Sequence, residues 1–362
     1  MDDSIDDSKR LTRLGNMIVD HKPVFIFSIN FFPFLSIICQ RLSLAYVAVS
    51  VDCPVIEIFH NSIRNSVNRV FLFDRSQYLS ICAENPGHIF YLPLGAPCYR
   101  NDNLLGDRYK AEYDISFVGS TYKEKDPFSD IILSRGIREK VLQAMKKQID
   151  SSAQGFDAIE SCLSDTDISE IEKSIDDFDR YDNYVMNMER FVIMNNYIAP
   201  HMAYIERISM LKELAESFQN AKVHFFTRSE TLELSKKVVI HDGVKTLTEM
   251  PFVFRNSKIN LNVTLKSIQT GLPQRIWDVL SCRGFLLTNE QDEITDYFRP
   301  GVHLETYSDT NDLKKKIKYY LEHEDERQQI AQNGYEEVLS KHTTRLRAIE
   351  IIKTCLNIME NG

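Results

Sequence analysis

Short runs of unbroken apolar residues set the rhythm of this chain. VFIFSI (24–29) and YVAVSV (46–51) are rich in β-branched and aromatic residues with no polar alternation. That is the pattern of strands buried on both faces of a parallel sheet. RVFLFD (69–74) and HIFYLPL (88–94) repeat it, and the stretches 34–44 and 75–83 between them are long enough for helical crossovers. The pattern predicts an α/β unit with its core at about residues 20–105. A second unit opens with YDISFVGS (113–120), but residues 128–222 then carry long helical patterns instead of strands. The strand rhythm returns in KVHFFT (222–227), KVVIHD (237–242), KINLNVT (258–264) and GFLLTN (284–289). Arg275, Ile276, Val279 and Leu280 mark a helix after Pro273, Leu313, Ile317 and Leu321 recur at helical spacing, and Ile330, Val338 and Leu339 lie on a further helical stretch. The expected division is a domain over 1–108, a second over 109–345 with the helical insertion at about 128–222, and a C-terminal helix within 346–362.

Composition narrows the function classes. At 362 residues, 43% hydrophobic and 26% charged, the chain buries a substantial core. Its formal charge of −9 provides no global basic field for nucleic acid. The most apolar stretch, 23–39, is interrupted by Asn30 and Pro33 and falls short of the roughly 20 residues a spanning helix needs. The N-terminal MDDSIDDSKR is acidic where a secretory signal is basic, so the protein reads as cytoplasmic. Seven scattered cysteines (39, 53, 82, 98, 162, 282, 355) form no C-x-x-C pair, which argues against a zinc ribbon or a disulfide framework. No histidine pair has metal-ligand spacing, and no G-x-S-x-G or P-loop pattern is present. Between Asp150 and Asp182 stand eleven acidic and two basic residues. That piece reads either as a solvated helical face or as a partner-docking arm.

Open parallel sheets bind ligands at the carboxyl ends of their strands. Three places fit. Gly119 and Ser120 follow a strand, either as an anion-binding turn or as a plain one. The loop Lys266–Gln274 is small and polar and leads into a helix. There the Gln269–Gly271 amides and Arg275 are suited to a diphosphate. The alternative is a capped helix with Arg275 in a structural ion pair. Asp278, at i+3 from Arg275, either accepts from ribose hydroxyls or neutralises the arginine. Third, Asp52 ends a buried-looking strand, as an acid/base residue or as an N-cap for a helix starting at Pro54.

The run SKINLNVTLKSIQTGLPQRIWDVLSCRGFLLTNEQDEITDYFRPG, with LKKKIKYYLEHEDERQQIAQNGYEEVLSKHT after it, resembles the C-terminal half of CgeB-type (spore-maturation-protein-like) glycosyltransferases. SINFFP, YVAVSVDCP and FLFDRS…FYLPLGAP resemble the N-terminal domain that accompanies it, and together these stretches cover about two thirds of the chain. The resemblance implies an α/β fold of the GT-B type: two Rossmann-like domains facing across a cleft, the first on the acceptor side. It also implies a nucleotide-sugar donor, most commonly UDP-linked, and no metal or other cofactor. Gly119, Ser120, Gln269, Thr270, Gly271 and Arg275 would surround the diphosphate, Asp278 would hold the ribose, and Val244 would lie near the base. Asp52 would be the general base if the reaction inverts. Three departures from the pattern are visible. Asp278 stands where related enzymes carry Glu, Thr270 replaces the first member of the Glu pair of retaining group 1 enzymes, and only about twenty residues precede the first strand. The expectation is a metal-independent glycosyltransferase acting on an unspecified acceptor. The alternatives are a non-catalytic nucleotide-sugar-binding or assembly subunit and a sugar-nucleotide epimerase on the same fold.

Overall fold

A computed structural model describes residues 7–106, 109–150, 155–176, 178–179 and 181–361. The chain packs as two compact units. One takes residues up to Phe73 together with Gln77–Leu92 and Asn183–Met186. The other takes Asp74–Ser76, Pro93–Asp182 and Asn187 onwards.

The first unit is built on four parallel strands in sequential order: β1 (Phe25–Ile29), β2 (Ala45–Val49), β3 (Asn68–Leu72) and β4 (Ile89–Tyr91). Tyr46, Val47 and Ala48 of β2 and Val70, Phe71 and Leu72 of β3 are buried, which is why these strands lack polar alternation. β1 is an edge strand, and Phe25, Phe27 and Ile29 stand half exposed on it. The crossover helix Pro33–Leu42 starts with proline in its first turn and ends on Ser43 in the left-handed conformation (φ 51°). A buried polar lock ties it to the sheet: Ser36 donates to Asn68 Oδ1 (2.7 Å), and Asn68 Nδ2 donates to the carbonyls of Ser62 and Ile63. Asn183–Met186 joins this unit through backbone bonds from Asn61 N to Asn183 O and from Val185 N to Phe59 O, each 2.8 Å. The helix Asp7–His21 ahead of β1 was not anticipated, because its apolar positions are sparse. The acidic residues 1–6 lie outside the described residues.

The second unit holds six parallel strands in the order β10-β9-β8-β5-β6-β7. In chain order these are β5 (Tyr113–Val118), β6 (Val223–Thr227), β7 (Val238–Asp242), β8 (Ser257–Asn262), β9 (Leu286–Asn289) and β10 (Glu305–Tyr307). The order reverses between β5 and β8, the topological switch point of a doubly wound sheet. Ile115, Phe225, Ile259, Leu261 and Leu287 form the centre of its core, under Leu211, Leu214 and Ile317 of the flanking helices. β10 escapes sequence reading because it is only three residues long and begins with a glutamate.

The helical insertion contains Arg135–Ile149, Asp157–Glu160 and Asp165–Lys173, then a long helical run through Ala199–Ser217. It has its own core, including Phe128, Val141, Met145, Ile159, Ile171 and Met202. Of the acidic stretch 150–182, residues 151–154, 177 and 180 lie outside the described residues. The chain from Pro93 to Gly106 packs within this unit although it precedes Tyr113. Asn101 donates to Ser281 Oγ (2.7 Å), and Asp102 takes both the Arg283 guanidinium (2.9 Å) and the Tyr335 hydroxyl (2.6 Å). Helix Glu324–Lys341 approaches closely at Gly334, where a Cβ would run into the His303 carbonyl and Leu280.

Candidate functional site

The switch point between β5 and β8 gathers most of the chemistry of the second unit. β5 ends at Val118 and turns through Gly119, whose N–H donates to Phe226 O (3.1 Å). The Ser120 hydroxyl is already engaged, donating to Glu124 Oε1 (2.6 Å) and accepting from Tyr122 N (2.7 Å). Spanning the two strand ends is Arg207, a residue that sequence reasoning missed. Its guanidinium donates to Ser120 O (2.8 Å) and to Val263 O (2.9 Å), and it lies over the rings of Phe117 and Tyr122. Arg207 is buried, and its Nε has no hydrogen-bond partner among the described residues. Burial lowers its pKa, opposed by nearby Tyr122 and Glu206. Its signal in the sequence was a charge on the buried stripe Ala203, Arg207, Met210, Leu211 and Leu214.

The loop after β8 is clamped from two sides. The backbone N–H groups of Thr270 and Gly271 each donate to Asp74 Oδ2 at 2.9 Å, and Asp74 is fully buried. Thr270 Oγ1 donates to Glu293 Oε1 (2.7 Å) and accepts from Ser76 N (3.1 Å). Gln269 Oε1 accepts from Ser76 Oγ (2.5 Å), and its side chain lies against Gly155 of the insertion. The two amides expected to face a diphosphate thus hold a carboxylate of the chain itself. Their chemistry is that of an anion-binding turn, and the anion is internal.

Helix Gln274–Ser281 follows, with Pro273 at its N-cap. Arg275 does not form the ion pair that the alternative reading required. It reaches Met250 Sδ (2.7 Å), lies over the Phe254 ring and makes no salt bridge with any described residue. Burial lowers its pKa, and the negative charge of Asp278 works against that. Asp278 is buried and accepts from Gln274 Nε2 (2.9 Å), while Gln274 also donates to Gly95 O (3.1 Å). Burial raises the Asp278 pKa, with Arg275 and the Gln274 hydrogen bond opposing. Val244 sits half-buried just beyond β7.

Asp52 belongs to the first unit. It is exposed, and its Oδ2 accepts from Asn30 Nδ2 (2.7 Å), while Asn30 Oδ1 accepts from Val51 N (3.0 Å). Asn30 has φ 62°, so the turns after β1 and β2 are tied through one left-handed residue. The N-cap alternative fails: the helical turn is Ile56–Phe59, its cap is Val55, and no side chain caps it. Among the described residues no group of three or more His, Cys, Asp or Glu is placed to hold a metal ion, and no helix is long and apolar enough to cross a membrane.

Comparison with known proteins follows this geometry. Residues 207–353, beginning at Arg207, match the family model described as glycosyl transferase-like. No curated protein sequence matches the chain. Anabaena HepE in complex with UDP is similar at 8% identity and TM-score 0.55, over 96% of this chain and 82% of that one. A sucrose-phosphate synthase from Thermosynechococcus elongatus matches at 9% and 0.53, over 98% and 78% respectively. A glycosyltransferase from Rickettsia africae matches at 8% and 0.51, over 98% and 82%. The chain spans half the length of TarM, a further structure it matches (9% identity, TM-score 0.46, 86% of this chain). The fold is that of the GT-B glycosyltransferases, two α/β units each built on a parallel sheet, and the residues matched by the glycosyl transferase-like model lie in the second.

Proposed function

We propose that this chain is a glycosyltransferase that moves a sugar from a nucleoside-diphosphate donor, UDP-linked by preference, to an acceptor hydroxyl without a metal ion. The observation that carries the reading is the pair of guanidinium groups of Arg207, buried, and Arg275, half-buried, neither salt-bridged to any described residue, in the domain that matches the glycosyl transferase-like family. A dianionic leaving group supplies the counter-charge such groups lack. Gly119 and Ser120 border the diphosphate in this reading. Gln269, Thr270 and Gly271 frame its loop, since their polar groups are spent on Ser76, Asp74 and Glu293. Asp278 accepts from the ribose, Val244 borders the base, and Asp52 takes the proton of the acceptor hydroxyl if the reaction inverts. The UDP seen with Anabaena HepE supports the uridine preference. The test is thermal stabilisation by UDP-, GDP-, dTDP- and CMP-sugars, followed by slow hydrolysis of the stabilising donor without acceptor. Stabilisation and hydrolysis of a UDP-sugar is expected. Binding with no turnover would reduce the chain to a nucleotide-sugar-binding subunit, and no stabilisation by any donor would end the proposal.

A further inference from the structure

A groove of about 720 Å³ runs over the carboxyl ends of β8, β9 and β10, within the range of small-molecule sites. One wall is the insertion helix Arg135–Ile149 and another is helix Ala199–Ser217, so the insertion creates a site the sheet alone does not have. At its floor Lys266 and Glu206 face each other, Nζ to Oε1 at 4.0 Å, too far for a hydrogen bond. Their side chains are only 12% and 19% exposed, and neither makes a hydrogen bond to any described residue. Two half-buried polar groups therefore face one gap, with hydrogen-bonding capacity that the protein leaves unspent.

The chemistry of that gap selects its ligand. A phosphate satisfies the ammonium and is repelled by the carboxylate, and an amine does the reverse. A hydroxyl donates to Glu206 and accepts from Lys266 at the same time. The walls point the same way. Glu213 is neutralised by Lys314 (3.3 Å), and Asp309 is spent capping helix Thr310–Glu322. Lys146 and Asp150 also line it, so the rim is mixed, with no commanding sign. Between these groups Leu142, Ile149, Ile205 and Leu313 offer apolar surface to the C–H faces of a ring.

We propose that this groove binds a neutral, hydroxyl-rich ligand, a short saccharide chain, beside the loop assigned to the nucleotide, whose first residue, Lys266, lines the groove. The inference stands on the groove alone and survives if the nucleotide-sugar reading fails. It is tested by saturation-transfer NMR on the full chain with maltotriose, cellotriose and chitotriose, beside spermidine and inorganic pyrophosphate. Leu142→Trp and Ser209→Trp fill the groove from two of its helices, both from exposed positions that leave the core intact. Saturation transfer to a trisaccharide that is lost in both variants, at unchanged melting temperature, is the expected result. If either variant melts early, Lys266→Gln, which removes one of the two floor groups, replaces it and must weaken the same signal. Three outcomes overturn the proposal: no transfer to any trisaccharide, transfer undiminished by the variants, or groove-dependent binding of spermidine or pyrophosphate instead.

Discussion

Taking a guanidinium out of water costs several kcal/mol when no anion is there to meet it, and the second unit does so in full at Arg207 and in part at Arg275. Each hydrogen bond from a charged group returns only about 1.5–3 kcal/mol, and Arg275 has a thioether and a ring for company. Such a residue is poorly explained by stability and well explained by a ligand. Arg275→Met keeps the length and the contact with Met250 but removes the charge. Donor binding measured by calorimetry is expected to weaken by about 2–4 kcal/mol, with little change in melting temperature. Equal affinity in the folded variant removes Arg275 from the site. Asp52 poses the complementary question. It caps nothing, so Asp52→Asn keeps an acceptor for Asn30 and is expected to leave stability untouched. If Asp52 is the general base, kcat falls by about 10²- to 10⁴-fold with donor affinity unchanged; normal turnover moves the base elsewhere or makes the reaction a retaining one. Arg275, Asp278 and Asp52 were legible because each follows an apolar strand or opens a helix, where ligands are met. Arg207 was not, because the insertion separates it in sequence from the Gly119–Ser120 turn it braces. Nor was Asp74, whose two amide partners lie almost two hundred residues away.

At the scale of elements, short runs rich in β-branched and aromatic residues announced nine of the ten strands, most plainly β2 and β3, where burial on both faces leaves few polar positions to blur the pattern. Boundaries shifted only by a residue or two at most ends, as in β2 and β3. What patterning could not supply was which segment packs where. Pro93–Gly106 continues the first unit in sequence but packs with the second, through Asn101, Asp102 and the return of the chain at Thr343–Thr344. His342 lies at that return, among Trp277, Tyr297 and Phe298, and its Nδ1 accepts from Arg347 Nη2 at 2.9 Å. Burial and the Arg347 charge push its pKa down to about 4, while Glu337 (3.9 Å) pulls the other way and Lys341 adds to the depression. The folded state therefore holds His342 neutral. Its contribution is intact above the unfolded pKa of 6.5 and is lost as pH falls toward 4, because the unfolded chain gains the proton first. The cost approaches about 3 kcal/mol by pH 4. Denaturant melts at pH 7 and pH 4.5 check this: His342→Gln, which cannot titrate, is expected to lose less stability across that interval than the parent chain. An equal loss in both means the ring is not held neutral.

For the molecule as a whole, the sheet order and the distribution of charge support the proposed reading together. The switch point of the second sheet is where a ligand is met in any doubly wound fold, and here it is faced by cations in a chain of net charge −9. The loop amides that a donor diphosphate would otherwise use are taken by Asp74, which also places one more negative charge nearby. On the proposed reading, neutralisation of a departing diphosphate would fall to Arg207 and Arg275, cations that need no exchangeable ion. The insertion, opaque in sequence because helical periodicity does not reveal what a helix packs against, contributes Gly155 beside Gln269 and a wall of the groove above Lys266. It thus belongs to the same edge of the sheet as the proposed donor loops. Metal dependence tests the charge argument for the whole assembly. Sugar transfer, or donor hydrolysis where no acceptor has been found, is expected to proceed at an unchanged rate after dialysis against excess EDTA. Magnesium or manganese should add nothing. Activity abolished by the chelator and restored by either ion would mean that the two arginines do not carry the leaving group, and that a cation takes part in turnover.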